Sequence, residues 1–400
     1  MSKFRAFPTR STQRYLERIT ELNRILYNNA IIERRNAYKH SKKSLSYFDQ
    51  CYHIKVIREE NPEYKDMDAR VLYRTLKRVQ DTYQKFFDTQ KMLRETGQPL
   101  TDKGKLIGYP KLKKRDDYST ITYEKSGWKL DQDKKIIFLT RGKDMIGKIK
   151  YLADHKVNDR IKQISITKSK TNKWWIQIIY EYKELRPSPA TGKIVGIDLG
   201  VKALVVDSDG RFWNNPRFLA EYDNKINEWK TKKDKLPKGD NRKEKYQRAE
   251  NRLNEKLANK RRQLAREIAA YYANNYDIVC IEDIKIAKIS KKAKTEDLNE
   301  QLTRSMDQAK NKQILSAGMG QIRSMIKNAL TLRGKQYIEV DPAYTSQRCS
   351  KCGSRNSAMS DVEEREFYCP NCNNVMDRDL NAAVNILKRG EHDLQKTKAA

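Results

Sequence analysis

Histidine is scarce in this chain. Four occur in 400 residues, His40, His53, His155 and His392, and they are scattered. A histidine-ligated metal site, or a nucleophile activated by histidine, finds no support. Long apolar runs are missing as well. No uncharged apolar stretch reaches the ~18 residues of a membrane helix, and no signal-peptide pattern is seen, so the expectation is no membrane span. There is no internal repeat or low-complexity tract. Acid is also short: Lys+Arg 84 against Asp+Glu 52 leaves a formal net charge of +32. Self-repulsion of that size disfavours a free compact protein unless a polyanion neutralises it. Between a merely soluble basic surface and a nucleic-acid partner, the second is the natural reading. The length suggests roughly two to four domains by the ~150-residue prior.

What is present is concentrated between Asp341 and Leu387. Two Cys-x-x-Cys pairs, Cys349/Cys352 and Cys369/Cys372, are separated by sixteen residues. Each pair sits in a tight turn that can aim two thiolates at one point. Four sulfurs make the tetrahedral shell of a structural Zn²⁺, whereas a redox dithiol needs only one pair. Cys280 lies in an apolar strand pattern and reads as buried; Cys51, in a helical pattern, is a core or surface thiol. Free thiols beside a four-cysteine metal site fit a reducing cytosol.

Taken in order, residues 1–10 read as a short basic strand ending near Pro8, and Ser11 and Thr12 offer a helix N-cap. Helical spacing follows through Leu16, Ile19, Leu22, Ile25 and Leu26, then from Ser46 to about Glu60, then from Met67 to Met92. The other faces of this helical unit carry Arg34, Arg35, Lys42, Lys43, Arg74, Lys77 and Arg78, each of which alone could be a solvated charge. A basic run opens at Gly108-Tyr109-Pro110 with Lys111, Lys113, Lys114 and Arg115. Strand patterns at Tyr118–Tyr123, Lys135–Arg141, Ile161–Lys168 and Trp174–Tyr182 predict a barrel-like β module over about 106–185. Its aromatics (Tyr118, Tyr123, Trp128, Trp174, Trp175) read as core more readily than as base-stacking groups. Residues 185–190, with two prolines, form a linker. Beyond it come strands at Lys193–Gly200 and Ala203–Val206, with Asp207-Ser208-Asp209-Gly210 as the hairpin turn. A long charged helix over about Asn241–Asn274 has a basic back of Lys260, Arg261, Arg262 and Arg266, and a strand follows at Asp277–Glu282. Residues 285–312 read as a mobile loop, Ile314–Leu332 as an interrupted helix, Lys335–Val340 as a last strand, and the polar tail from Arg389 as frayed.

Asp198 and Glu282 each end an apolar strand, and Asp379 precedes the final helix pattern. The C-terminal edge of an α/β sheet is where sites form. If the three carboxylates converge there, they repel and raise one another's pKa. Divalent cations resolve this. Two Mg²⁺ ions, or Mn²⁺, would bind hard oxygen ligands, activate a water and stabilise the leaving oxygen of a phosphodiester. Any one of the acids could instead be a turn or cap residue; Asp377 is an adjacent, weaker candidate.

These residues together resemble the split RuvC-type, RNase H-like nuclease of the TnpB family, transposon-encoded RNA-guided DNA endonucleases related to the miniature type V CRISPR effectors. The resemblance rests on GIDLG with Asp198, IED with Glu282, TSQRCSKCG with CPNC, and DRDLNAA with Asp379. It covers essentially the whole chain and is most specific from about 190 onward. In the N-terminal half, LYNNAIIERRNAY, the Tyr83–Phe87 segment and IGYPKLKKR carry it. It implies a multidomain α/β fold: wedge strand 1–10, helical recognition domain 11–105, wedge β-barrel 106–189, nuclease 190–341 and 377–390, zinc ribbon 342–376 as a target nucleic-acid-binding module, and tail 391–400. It implies Asp198, Glu282 and Asp379 as the catalytic, Mg²⁺-binding acids, and Cys349, Cys352, Cys369 and Cys372 around one Zn²⁺. Tyr47, Tyr73, Arg74 and Lys77 fall near positions that read a short target-adjacent motif. Lys113, Lys114 and Arg115 stand as nucleic-acid contacts. Arg365 resembles an arginine near the scissile strand, or is a phosphate contact of the ribbon. The implied function is Mg-dependent, guide-RNA-directed cleavage of double-stranded target DNA by a cytoplasmic, nucleoid-associated monomer. A CRISPR-associated miniature effector and a non-cleaving DNA-binding regulator are the alternatives; the intact acids speak against the second.

Overall fold

The structure, a computed structural model, describes residues 1–97, 101–102, 105–157, 160–181, 188–237, 239–283, 318–360 and 364–399. The 285–312 segment read as a mobile loop, the start of the 314–332 helix pattern and Leu185, Arg186 and Pro187 of the linker lie outside the described residues. By contact the chain divides into two units, Met1–Lys183 and Glu184–Ala400.

The first unit begins with β1 (Ser2–Pro8), whose alternation turns Ser2, Phe4 and Ala6 inward. The helices come next: α1 (Arg10–Ser41), α2 (Tyr47–Tyr52), α3 (Ile54–Glu60) and α4 (Ala69–Thr96). A two-residue pairing, β2 (Thr101–Asp102) with β3 (Lys105–Leu106), precedes the remaining strands. These are β4 (Thr120–Tyr123), β5 (Trp128–Asp131), β6 (Ile136–Arg141), β7 (Asp144–Leu152), β8 (Ile161–Lys168) and β9 (Trp174–Tyr180). They form a seven-stranded sheet ordered β4-β8-β9-β1-β7-β6-β5. The first strand thus sits between β9 and β7, antiparallel to both. The helices occupy the chain between that central strand and the rest of its sheet, and Leu16, Ile19, Leu72, Leu76 and Val79 pack with Ile121, Ile164 and Ile176 in one core.

Several boundaries depart from the sequence reading. The α1 N-cap is Thr9, whose hydroxyl accepts from Thr12 N, rather than Ser11 or Thr12. The Thr12 hydroxyl is taken by Lys148 N at 2.9 Å, tying the helix start to β7. The stretch read as one helix from Ser46 is two, meeting at His53, with a Ser46/Asp49 capping box at its start. The α4 helix starts at Ala69 behind an Asp68 cap and ends at Gly97, which is left-handed at φ +66°. Four strands, β2, β3, β5 and β7, were not anticipated. In β7, Gly147 interrupts the apolar pattern because a Cβ there would stand 2.9 Å from the Thr12 methyl. Arg34, expected on a charged outer face, is buried; its guanidinium holds Gln50 and Gln80 and lies over Tyr83. Tyr118, Tyr123 and Trp174 are core, whereas Trp128 and Trp175 are only partly covered.

The second unit contains β10 (Ile194–Asp198), β11 (Ala203–Asp207), β12 (Phe212–Asn214), α5 (Phe218–Asp234), α6 (Asn241–Asn275) and β13 (Ile278–Glu282). After the undescribed segment come α7 (Met319–Leu332), β14 (Gln336–Val340), the small pair β15 (Glu366–Tyr368) and β16 (Val375–Asp377), and α8 (Arg378–Ala399). The sheet order is β12-β11-β10-β13-β14. The β10 strand is antiparallel to β11 but parallel to β13, which is parallel to β14. Because side chains alternate along a strand, the two faces sort cleanly. Val195, Ile197, Val279 and Ile281 pack with Ala265, Ile268, Tyr272, Ile322 and Ile326 of α6 and α7. The alternate residues Ile194, Ile278, Cys280, Ile338 and Val340 cluster with Ile386 of α8. Asp198 and Glu282 continue this second set.

The α8 helix lies very close to the sheet. A Cβ on Gly196 would stand 2.2 Å from Ala383 O, and one on Gly390 would stand 2.1 Å from Cys280 Sγ. The tail read as frayed from Arg389 is therefore helical through Ala399: Gly390 still rests on β13, and the Arg389 guanidinium bonds the carbonyls of Asp341 and Ala343. Gly196→Ala is expected to push α8 off β10 and to destabilise this unit by about 1–3 kcal/mol, the usual cost of overpacking. Thermal melts of the two proteins check this.

Candidate functional site

Parallel pairing of β10 with β13 runs Gly196 beside Cys280 and Ile197 beside Ile281. The next step in that register sets Asp198 beside Glu282, both on the α8 side. Asp379 lies in the first turn of α8. The carboxyl of Asp198 is pushed well above its ordinary value, first by burial, then by the charges of Glu282 and Asp379. Burial likewise raises Glu282 and Asp379. Three acids from three separate elements therefore share one electrostatic neighbourhood. The three do not all lie within 4.8 Å of one another: among the described residues, the one group of three or more potential ligands that close is the cysteine set. Hard carboxylate oxygens, partly buried and mutually repelling, are a donor set that fits a Mg²⁺- or Mn²⁺-class cation.

Cations surround Asp379. Arg365 lies 3.6 Å from its carboxylate, and the charges of Arg378 and Lys202 also favour its ionised form. Arg378 is buried, donating to Glu364 O at 3.2 Å and Ser346 Oγ at 3.4 Å. Asp377, the neighbouring acid, has another task. Its Oδ1 accepts from the backbone N–H groups of Asp379 at 2.9 Å and Leu380 at 3.0 Å, as an N-cap does.

The four cysteines form two matched turns. Gly353 N donates to Cys349 O and Asn373 N to Cys369 O, each at 2.9 Å, and both Gly353 and Asn373 are left-handed. The thiols are unpaired. Cys349 and Cys372 sulfurs are 3.6 Å apart, and Cys352 and Cys369 sulfurs 3.5 Å apart. That is the preassembled four-sulfur shell of a structural metal.

Sequence reasoning missed the residues that join this module to the acids. Asn381, fully buried, accepts from Ser350 N at 2.8 Å and donates to Arg348 O at 2.7 Å. One turn on, Asn385 donates to Thr345 O at 2.8 Å and Arg348 O at 2.7 Å. Thr345 is buried and its hydroxyl bonds Glu282 Oε1. The available signal was the pair Asn381/Asn385, two amides four apart on the apolar stripe of a helix.

In the first unit the nucleic-acid candidates are brought together in part. Lys77 lies over the Tyr47 ring at 5.8 Å and pairs with Asp81 at 3.3 Å; Arg74 pairs with Glu124 at 3.6 Å. Tyr73 packs partly into the core. Phe48 and Tyr52, not singled out from sequence, are 78% and 83% exposed on the same short helix. The Lys113 backbone is fixed to α1, its carbonyl accepting from Arg24 and Asn28, each at 3.0 Å, with Lys114 and Arg115 exposed beside it. In the second unit Lys260 pairs with Glu221 at 2.7 Å.

The architecture is that of a multidomain α/β chain with a four-cysteine module inserted just before the helix that bears its third acid. Three family models match it: a helix-turn-helix domain of IS605 OrfB proteins at 2–43, a probable transposase (IS605 OrfB) at 177–293, and a Cas12f1-like TNB domain at 320–386. Two of the three models, over 2–43 and 177–293, describe IS605 OrfB proteins. A protein of Escherichia coli (strain K12) named "Putative RNA-guided DNA endonuclease InsQ" is 26% identical over 390 residues, 97% of this chain and 91% of that protein. A "Putative RNA-guided DNA endonuclease" of Streptomyces pristinaespiralis is 23% identical, over 97% of this chain and 88% of its own length. A Cas12f1-sgRNA-target DNA complex is matched over 96% of this chain and 98% of that one at 18% identity, with a TM-score of 0.35. No helix among the described residues is long and apolar enough to cross a membrane.

Proposed function

We propose that the chain is an RNA-guided DNA endonuclease. It binds a structured, transposon-derived guide RNA, recognises a short motif beside the target in duplex DNA, and hydrolyses DNA at Asp198, Glu282 and Asp379. The observation that carries this reading is the shared neighbourhood of those three acids, each from a different element, on the α8 face of the sheet. The sheet order, with three antiparallel neighbours and two parallel additions, supports an RNase H-like (RuvC-type) core over 190–341 and 377–390. The 342–376 module is then a zinc ribbon, and the first unit a wedge sheet (1–10, 106–189) with an inserted helical recognition domain (11–105). The similar proteins named as RNA-guided DNA endonucleases span nearly the whole chain, which supports the same reading. The protein acts in this account as a monomer in the nucleoid-associated cytoplasm.

Divalent cations held by the three acids would supply charge neutralisation and a more acidic water at the scissile phosphate. The chain's own part is placement. The β10 and β13 ends hold Asp198 and Glu282 on a rigid sheet edge, and the Asp377 cap fixes the turn that carries Asp379. Arg365, exposed beside Asp379, is placed to meet the phosphate that arrives there. The long specificity lies in base pairing between guide and target, while the protein reads backbone shape and the short motif.

The net charge of +32 has a purpose in this reading. Guide RNA is expected to raise the melting temperature, because a ligand of the folded state alone stabilises it. RNA affinity is expected to fall steeply with salt, each neutralised phosphate contributing roughly −0.7 to −0.9 to the slope of log K against log salt. Filter binding at several salt concentrations, melts with and without co-purified RNA, and sequencing of that RNA test the proposal. A flat salt response with an unchanged melt would turn the reading toward a DNA-binding regulator. A "CRISPR-associated DNA-binding protein Cas12m" of Allomeiothermus silvanus is 30% identical over 35% of this chain and 24% of its own, so that alternative has a relative; cleavage of matched DNA decides between them. A repeat array beside the coding sequence would instead favour a CRISPR effector with the same chemistry.

A further inference from the structure

One hydroxyl of the four-cysteine module reaches Glu282 of the acid site. Thr345 lies four residues before Cys349 and is 4% exposed. Its Oγ1 donates to Glu282 Oε1. The alternative acceptor for that single proton, Pro342 O, is farther away at 3.3 Å. The Thr345 backbone is itself held: its carbonyl accepts from Asn385 Nδ2 at 2.8 Å, and the same amide nitrogen reaches Arg348 O at 2.7 Å, next to the first cysteine. Asn385 is on α8, six residues after Asp379, so the clamp is anchored on the helix that carries the third acid. Among the described residues Glu282 makes no other side-chain hydrogen bond, and it is the longest and most rotatable of the three acids. A two-carbon stem at the end of a strand needs a partner to hold one rotamer, and a carboxylate with one oxygen engaged presents the other in a fixed direction.

We infer that Thr345 is the positioning residue for Glu282, transmitting the placement of the cysteine module to the acid site. This rests on the reading of Asp198, Glu282 and Asp379 as a cation site. With the hydroxyl in place, Glu282 offers its free oxygen toward Asp198 and α8. Without it, the carboxylate rotates among several positions, and the cation loses a preorganised ligand while the fold and the cysteine shell remain.

The test uses the full chain with its metal at the cysteines, titrated with Mn²⁺ and read by the electron paramagnetic resonance of the free ion. Wild type, Thr345→Val, Thr345→Ser and Asp198→Ala are compared, with zinc content measured in each. Val matches the shape of Thr without the hydroxyl; Ser keeps the hydroxyl. The expected result is Mn²⁺ affinity about 10-fold or more lower in Thr345→Val, the scale of a lost partner behind a metal ligand. Thr345→Ser returns to within about threefold of wild type on the same scale, and zinc stays at the wild-type level in both. Equal affinity in Thr345→Val and wild type overturns the inference. So does a Thr345→Ser protein that binds as poorly as Thr345→Val, since the hydroxyl would then not be the active feature. Should Thr345→Val lose zinc, Thr345→Ser alone decides, by the same affinity criterion. If Asp198→Ala binds Mn²⁺ like wild type, the acid site itself is misassigned, and the inference falls with it; a normal Asp198→Ala loss beside an unaffected Thr345→Val sinks the inference alone.

Discussion

Asp198→Asn is expected to abolish guide-directed DNA cleavage and, in the metal-free protein, to raise the melting temperature. The two effects have one origin. Burial and the charges of Glu282 and Asp379 hold the Asp198 carboxyl well above its ordinary value. The folded chain thus disfavours a charged carboxylate at this place, and an uncharged isostere removes that cost. For a unit of this size, each 1 kcal/mol regained moves the melt by about 2–4 °C. Added Mg²⁺ should raise the wild-type melt more than that of Asp198→Asn, because the variant has lost one of the three acids that would hold the ion. Guide-directed binding of matched DNA should persist in the variant, since the acids oppose phosphate and do not attract it. A cleaving Asp198→Asn protein would remove Asp198 from the chemistry.

Cys349→Ser is expected to lose the structural metal and, with it, the order of the whole 342–376 module. Apparent binding energies of structural zinc are about 10–16 kcal/mol in small fingers, and this module has little else. Its apolar core is Cys349, Met359, Phe367 and Cys369, with Cys372 and Met376 against it, so two of the four buried members are themselves ligands. The damage should spread. Ser350, Arg348 and Thr345 are the groups that Asn381 and Asn385 bind, so α8 would lose the partners of two buried amides. Cleavage should therefore fall along with zinc content, although the cysteines and the acids form separate groups. Metal analysis, with proteolysis across residues 342–376, checks the first part. Full zinc in the reduced Cys349→Ser protein would refute it.

The acids and cysteines were legible because each interrupts a strong local pattern. Asp198 and Glu282 end apolar strands, and the Cys-x-x-Cys pairs repeat. The side of the sheet on which the acids lie was legible only once α8 was seen against Gly196 and Gly390, since nothing local tells a two-faced buried strand which face is which. The α5 helix escaped because its buried residues, Tyr222 and Ile226, are few among lysines and find their partner, Leu257, only on α6. Charge misled at Arg34, where Gln50 and Gln80 make burial possible and no sequence rule separates such an arginine from its half-buried neighbour Arg35. Thr345 stands in the TSQRCSKCG stretch, but its link to Glu282, 63 residues away, is visible only in the fold. The helix end was misjudged because polar residues past Arg389 hide the one small residue, Gly390, that lets the helix keep to the sheet.

The central claim is that three acids on the α8 face of one sheet cut DNA when a guide RNA has paired with it. The direct measurement is cleavage of matched and unmatched duplex DNA by the purified chain with its co-purified RNA, stripped with EDTA and then given back Mg²⁺ or Mn²⁺. The account predicts cutting of matched DNA alone, absent in EDTA, restored by either cation, and never restored in Asp198→Ala, Glu282→Ala or Asp379→Ala. Cutting in EDTA, or normal cutting by any of those three variants, would contradict it.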